Sequence, residues 1–175
     1  TKFITEYYCF SYFAFLSFYA KHLMHHLSLP GDQSIQKILL LCHAHPDGDT
    51  LGSATALARG LMQKGKKVKV DCSDPIPKDF SFMFEGIESD DFEPEFIVAV
   101  DVADIKLLGK DYEGIYEGRI DLCIDHHGSN MLYADKVCLE PDSASAAEMI
   151  YQLLGIMNVE ITPKIASCLF TGVST

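Results

Sequence analysis

Three short, largely apolar runs in this chain each end in aspartate or histidine, and that recurrence is its tightest constraint. The first is Ile38-Leu39-Leu40-Leu41-Cys42, followed by His43-Ala44-His45-Pro46-Asp47-Gly48-Asp49. The second, Phe96-Ile97-Val98-Ala99-Val100, leads into Asp101, with Asp104 three residues on. The third, Ile120-Asp121-Leu122-Cys123-Ile124, leads into Asp125-His126-His127. Runs of this length bounded by polar turns read as buried strands. Parallel strands put their carboxyl ends on one sheet edge, where open α/β sheets bind ligands. A strand-end aspartate is often only a helix cap, but three in succession are hard to explain that way. Carboxylates this close repel one another unless a cation joins them. Oxygen ligands with imidazole suit Mn²⁺ or Mg²⁺, with Zn²⁺ behind them.

The rest of the pattern predicts an α/β fold: an open, mostly parallel five-stranded sheet with helices on both faces. Strand one spans about Lys37 to His43, and a helix follows from about Thr50 to Lys64, ended by Gly65 as a glycine C-cap. Val68 to Cys72 is strand two. Residues from Asp74 to Glu95 read as irregular, interrupted by Pro75, Pro77 and Pro94. Within that stretch, Phe80, Phe82, Met83 and Phe84 either pack into the core as a short helix or line a groove for a base. A short edge strand is expected over Lys136 to Leu139. Ser143 is expected to cap a helix running to about Leu154, and Thr162-Pro163 to open the last helix. No GxxxxGK[ST] or GxGxxG motif is present, so a nucleotide-driven or dinucleotide-cofactor enzyme is unsupported.

Composition narrows the partners. The net charge of −11, from 14 basic and 25 acidic residues, argues against a broad electrostatic grip on long nucleic acid. A short nucleotide escapes that argument, because metals can hold its phosphate. The six cysteines (Cys9, Cys42, Cys72, Cys123, Cys138 and Cys168) lack CxxC spacing. They read as reduced thiols of a cytoplasmic protein, with Cys42, Cys72 and Cys123 on buried strands.

Residues 1–33 form a separate aromatic-rich segment, expected to be helical, before a domain over residues 34–175. Nine of its first twenty positions are aromatic, and Tyr7 to Ala20 carries no charge for fourteen residues. A membrane-spanning helix needs about 20. The readings left open are a core or interface helix, a membrane-associated or signal segment, and a sequence not native to the domain. His22, His25 and His26 have helical spacing and read as a polar face rather than a metal site.

Together these blocks resemble the DHH phosphoesterase family. His43-Ala44-His45-Pro46-Asp47-Gly48-Asp49-Thr50-Leu51-Gly52 resembles its opening motif, His-x-His-x-Asp-x-Asp-x-x-Gly. Val100-Asp101 resembles the second motif, and Asp125-His126-His127 the third. Thr171-Gly172-Val173-Ser174-Thr175 reaches the edge of the fourth, whose aspartate and the family's C-terminal substrate-binding domain are expected beyond it. Ser73-Asp74-Pro75-Ile76-Pro77, Ser129-Asn130 and Ser143-Ala144-Ser145-Ala146-Ala147-Glu148 are most similar to the bacterial oligoribonuclease/PAP-phosphatase (NrnA-type) branch.

The resemblance implies two Mn²⁺ ions, with Mg²⁺ or Co²⁺ as substitutes. His43 and Asp47 would bind one ion, Asp49 and His126 the other, and Asp101 would bridge them. His127 would touch the scissile phosphate or the leaving oxygen, Asp125 would orient a neighbouring histidine, and His45 would give a supporting hydrogen bond. The implied reaction is hydrolysis of short oligoribonucleotides, or of the 3′-phosphate of adenosine 3′,5′-bisphosphate, by a water activated between two metals. Competing readings are a cyclic-dinucleotide phosphodiesterase, an inorganic pyrophosphatase of the same superfamily, and an inactive metal-binding module. A nucleotide substrate is the expected partner; no membrane partner is expected, and a homodimer is left open.

Overall fold

The structure, a computed structural model, describes residues 35–87 and 91–175. The aromatic segment, with Cys9, His22, His25 and His26, lies outside the described residues. Five strands form one sheet: β1 (Lys37–Leu41), β2 (Lys67–Asp71), β3 (Phe96–Val100), β4 (Leu122–Asp125) and β5 (Lys136–Leu139). Their order is β2-β1-β3-β4-β5, and every neighbouring pair is parallel. The expectation of a mostly parallel sheet therefore holds in its strongest form.

Alternation along the strands sorts two cores. Ile38 and Leu40 of β1, Val98 and Val100 of β3, and Ile124 of β4 face one side. Leu39, Leu41, Ile97, Ala99 and Cys123 face the other. Both faces are buried, which is why the strands read as continuous apolar runs. The first face is covered by three helices, α1 (Gly48–Gln63), α3 (Ala146–Ile156) and α4 (Pro163–Ser174). The second is covered by a 3-10 turn (Ile105–Leu108) and α2 (Lys110–Tyr116), through Leu108, Tyr112 and Tyr116.

Three local expectations need correction. Helix α1 starts at Gly48 rather than Thr50, because the Asp47 carboxylate accepts the N–H groups of Asp49 and Thr50 and so caps it. The cap of α3 is Ser145, whose hydroxyl accepts Glu148 N–H, while Ser143 Oγ bonds the Glu148 carboxylate one step further out. Cys72 lies one residue past β2 and is only partly buried; its Sγ reaches the His43 carbonyl at 3.2 Å.

Between Asp74 and Glu95 the chain forms a 3-10 helix over Lys78–Phe84. Met83 is fully buried, Phe80 and Phe84 pack against the first core, and Phe82 stays exposed. Core packing is thus the outcome for all but Phe82. No helix among the described residues is long and apolar enough to cross a membrane.

Candidate metal centre

The strand order sets the position of the centre. The chain leaves β1 toward β2 on one side and returns to β3 on the other, so β1 and β3 flank the topological switch point. The crevice outside their carboxyl ends is the ligand site of such sheets. His43 and Asp47 follow β1, Asp101 follows β3, and Asp125, His126 and His127 end or follow β4. They gather around a cleft of about 360 Å³ lined by His43, Asp47, Asp49, Asp101, His126 and His127.

Two histidines are turned by the backbone. His43 Nδ1–H donates to the Ala44 carbonyl at 2.8 Å, which leaves Nε2 facing Asp47 Oδ1 at 3.7 Å and Asp101 Oδ2 at 3.9 Å. His126 Nδ1–H donates to the Ser143 carbonyl at 3.2 Å, leaving Nε2 at 3.6 Å from both Asp49 Oδ2 and Asp101 Oδ1. A ring fixed through Nδ1 with Nε2 presented is the usual arrangement of a metal-binding histidine. His127 differs. Its Nδ1 donates to Asp125 Oδ1 at 2.8 Å, and the ring is about half exposed.

Asp101 is the pivot. Its N–H donates to the Ile124 carbonyl at 2.8 Å, and Thr50 Oγ1 donates to the carbonyl before it, that of Val100, at 2.8 Å. Its φ of 61° lies in the left-handed region, which costs an aspartate energy and is kept where the surroundings impose it. The carboxylate belongs to two possible ion-holding groups, His43–Asp47–Asp101 and Asp101–His126–His127. Yet its buried Oδ1 has no hydrogen-bond partner among the described residues. A buried anionic oxygen without a donor is unfavourable in isolation. A cation between Oδ1 and the imidazoles would satisfy it, so the residues present fit a metal.

Protonation follows this crowding. Burial, and then the charge of Asp49, push the Asp101 carboxyl up to about 7, against the pull of His127 and His126. Burial pulls His43 down, but its bond with Asp47 and the other nearby acceptors outweigh that and raise it above the usual value. The His43 contact in turn lowers Asp47. For His127, burial is likewise outweighed by Asp125, Asp101 and Asp49, and the net shift is upward.

Asp49 is held differently. Its Oδ2 accepts Ala146 N–H at 2.9 Å, and its Oδ1 accepts Ala147 N–H at 3.0 Å and Ser53 Oγ–H at 3.1 Å. It therefore ties the first turn of α3 to α1 while one oxygen faces His126.

Two motif residues lie outside the cluster. The His45 side chain is 94% exposed, at φ 54°, with both its Nδ1 and its backbone N–H on Asp74 Oδ2 at 2.9 Å. Its hydrogen bond therefore supports the turn rather than the cleft. Asp104 caps the 3-10 turn by accepting Lys106 N–H. Leu107, Ala144, Ser145 and Val173 also line the cleft, and sequence reasoning did not single them out for it. Leu107 and Val173 are apolar and exposed, so no chemical signal marked them.

With this geometry in view, similarity defines the class. The model of the DHH family N-terminal domain matches residues 37–173, and the chain belongs to that family. Among curated relatives, it is 31% identical over 144 residues to the bifunctional oligoribonuclease and PAP phosphatase NrnA of Thermus thermophilus, covering 79% of this chain and 42% of that one. It is 25% identical over 118 residues to the NrnA of Bacillus subtilis, covering 66% and 37%. The chain thus spans less than half the length of these relatives. An exopolyphosphatase-related protein from Bacteroides fragilis shares the fold, with a TM-score of 0.69 at 19% identity, over 87% of this chain and 48% of that one.

Proposed function

We propose that the protein is a metal-dependent phosphoesterase that hydrolyses short oligoribonucleotides, the 3′-phosphate of adenosine 3′,5′-bisphosphate, or both. The observation that carries this reading is the buried Asp101 carboxylate, which belongs to two clusters of potential ligands and whose Oδ1 has no donor among the described residues. His43, Asp47 and Asp101 would hold one divalent cation; Asp49, His126 and Asp101 would hold the second. Mn²⁺ is the ion proposed, with Mg²⁺ or Co²⁺ as substitutes. Such a pair supplies an activated water and neutralises charge on phosphoryl oxygens.

The remaining steps belong to the chain's own groups. His127 gives Nδ1–H to Asp125, so Nε2 is the atom left for substrate. Its raised pKa favours an Nε2–H able to donate to the scissile phosphate or to the leaving oxygen. Asp125, fully buried, holds the ring rather than reacting. The substrate class is supported by the names of the two relatives. A net charge of −11 favours a short substrate over long nucleic acid. Free thiols at Cys42, Cys72, Cys123, Cys138 and Cys168 support the expected cytoplasmic setting.

The test is Mn²⁺-dependent release of AMP from the dinucleotide pApA. Release that stops with chelator is the expected result. Two bound ions without release would move the substrate to pyrophosphate or a cyclic dinucleotide, and no metal binding at all would overturn the reading.

A further inference from the structure

The loop after His127 contains one side chain that touches neither the cleft nor solvent alone. Asn130 Nδ2 donates to Asp125 Oδ2 at 2.7 Å and lies 3.4 Å from the Val102 carbonyl. Its Oδ1 accepts Leu132 N–H at 2.7 Å, and its own N–H donates to the His127 carbonyl at 3.0 Å. These partners settle the amide orientation. A carboxylate only accepts and a backbone N–H only donates, so a flipped amide would lose both bonds. Leu132 is exposed at φ 53°, an unfavourable backbone state for leucine that the Asn130 bond helps hold.

The Asp125 carboxylate is fully buried, and its two oxygens are divided. Oδ1 accepts His126 N–H at 2.9 Å and His127 Nδ1–H at 2.8 Å. Among the described residues, Asn130 is the one donor to Oδ2. Without Asn130, Oδ2 becomes a buried acceptor with nothing to accept, and rotation of the carboxylate would relieve it at the expense of the His127 bond.

We infer that Asn130 is a positioning residue, which fixes the Asp125 carboxylate and through it the tautomer and direction of His127. The inference rests on the phosphoesterase reading for its kinetic consequence, and on geometry alone for its effect on the histidine. The amide itself bonds to none of the proposed ligand side chains, so the number of bound ions is expected to stay the same.

The test compares wild type with N130D, which keeps the shape and the acceptor for Leu132 N–H but replaces the donor with a second carboxylate. The kcat on pApA is expected to fall about 10–100-fold, the range for loss of a supporting partner. KM should change less than about threefold, and calorimetry should count the same number of ions. In an H127A background, N130D should change kcat less than about twofold. In the Mg²⁺-loaded protein, at a pH high enough for the ring to be neutral, ¹⁵N spectra should give one Nδ1-protonated His127 tautomer in wild type and a mixture in the variant. N130A reads the same way should N130D not fold. A kcat within about threefold of wild type, a full additional loss in H127A, or an unchanged His127 spectrum would overturn the inference. If wild type cleaves no phosphoester, the functional reading falls and the spectrum still decides the role of Asn130.

Discussion

Asp49 Oδ1 and the backbone amide of Ala147 are 98 positions apart in the chain and 3.0 Å apart in the fold. With Ala146 N–H on Oδ2, this carboxylate receives both leading amides of α3. Negative charge there also faces the positive end of the helix dipole. Asp49 therefore has a structural role independent of any metal. Asp49→Ala strands two amides and Ser53 Oγ, and charged hydrogen bonds of this kind are worth about 1.5–3 kcal/mol each. Urea unfolding in chelator is expected to give a loss of about 2–4 kcal/mol. A change under about 0.5 kcal/mol would mean that α3 does not depend on this anchor.

Asp101 carries the opposite effect in the metal-free protein. Its folded carboxyl is raised from 3.8 to about 7, chiefly by burial. Between those values the unfolded chain has released a proton that the folded chain still holds, so stability falls as pH rises through that window. Asp101→Asn removes the titration. Its metal-free stability should exceed wild type near pH 7 and decline less between pH 4 and 7. His43 and His127, both raised, lose their favourable contacts with carboxylates at higher pH, so some decline remains in both proteins. Parallel stability curves for the two proteins from pH 4 to 7 would rule out Asp101 as the group responsible.

The same residue should decide metal count. On the proposed assignment Asp101 serves both ions, whereas His43 serves one. Calorimetry with Mn²⁺ is expected to count two ions in wild type, one in His43→Ala, and none bound tightly in Asp101→Ala. Two ions retained by Asp101→Ala would end the bridging assignment. Because binding needs deprotonated ligands, the Mn²⁺-induced rise in Tm should grow from pH 5.5 to 8. That is opposite in sign to the metal-free trend.

Much of this arrangement was legible because it depends on period and chain direction. Continuous apolar runs ending in Asp101 or Asp125 require buried parallel strands, and parallel strands bring their ends together whatever lies between. Boundaries were less legible. Asp47 serves as helix cap as well as candidate ligand, and a single aspartate cannot signal both, so α1 begins two residues early. Helix α2 has seven residues, none fully buried, with Gly114 inside it and Gly109 at φ 90° before it, and its core contact is the single pair Tyr112 and Tyr116, too short a stripe to establish a helical period. Asn130 was visible as a letter near the histidines, but its bond to Asp125 depends on a loop whose path no periodicity describes.

Gly172 tests how closely α4 must approach. A Cβ there would lie 2.6 Å from Ala147 Cβ and 3.3 Å from Asp49 Oδ1, so the position has no room for a side chain. Neither obstacle is a flexible side-chain end: Ala147 Cβ is fixed to the first turn of α3, and Asp49 is held by that same turn. Gly172→Ala must push α4 outward or displace Asp49 from its amides. Overpacking of this kind costs about 1–3 kcal/mol. Displacement of Asp49 should also weaken the ion proposed at Asp49 and His126 while sparing the one at His43 and Asp47. Calorimetry is therefore expected to resolve one unchanged and one weakened Mn²⁺ site, with lower stability in chelator. Equal weakening of both sites would point to a general loosening of the sheet edge, and unchanged stability would mean that α4 can shift freely.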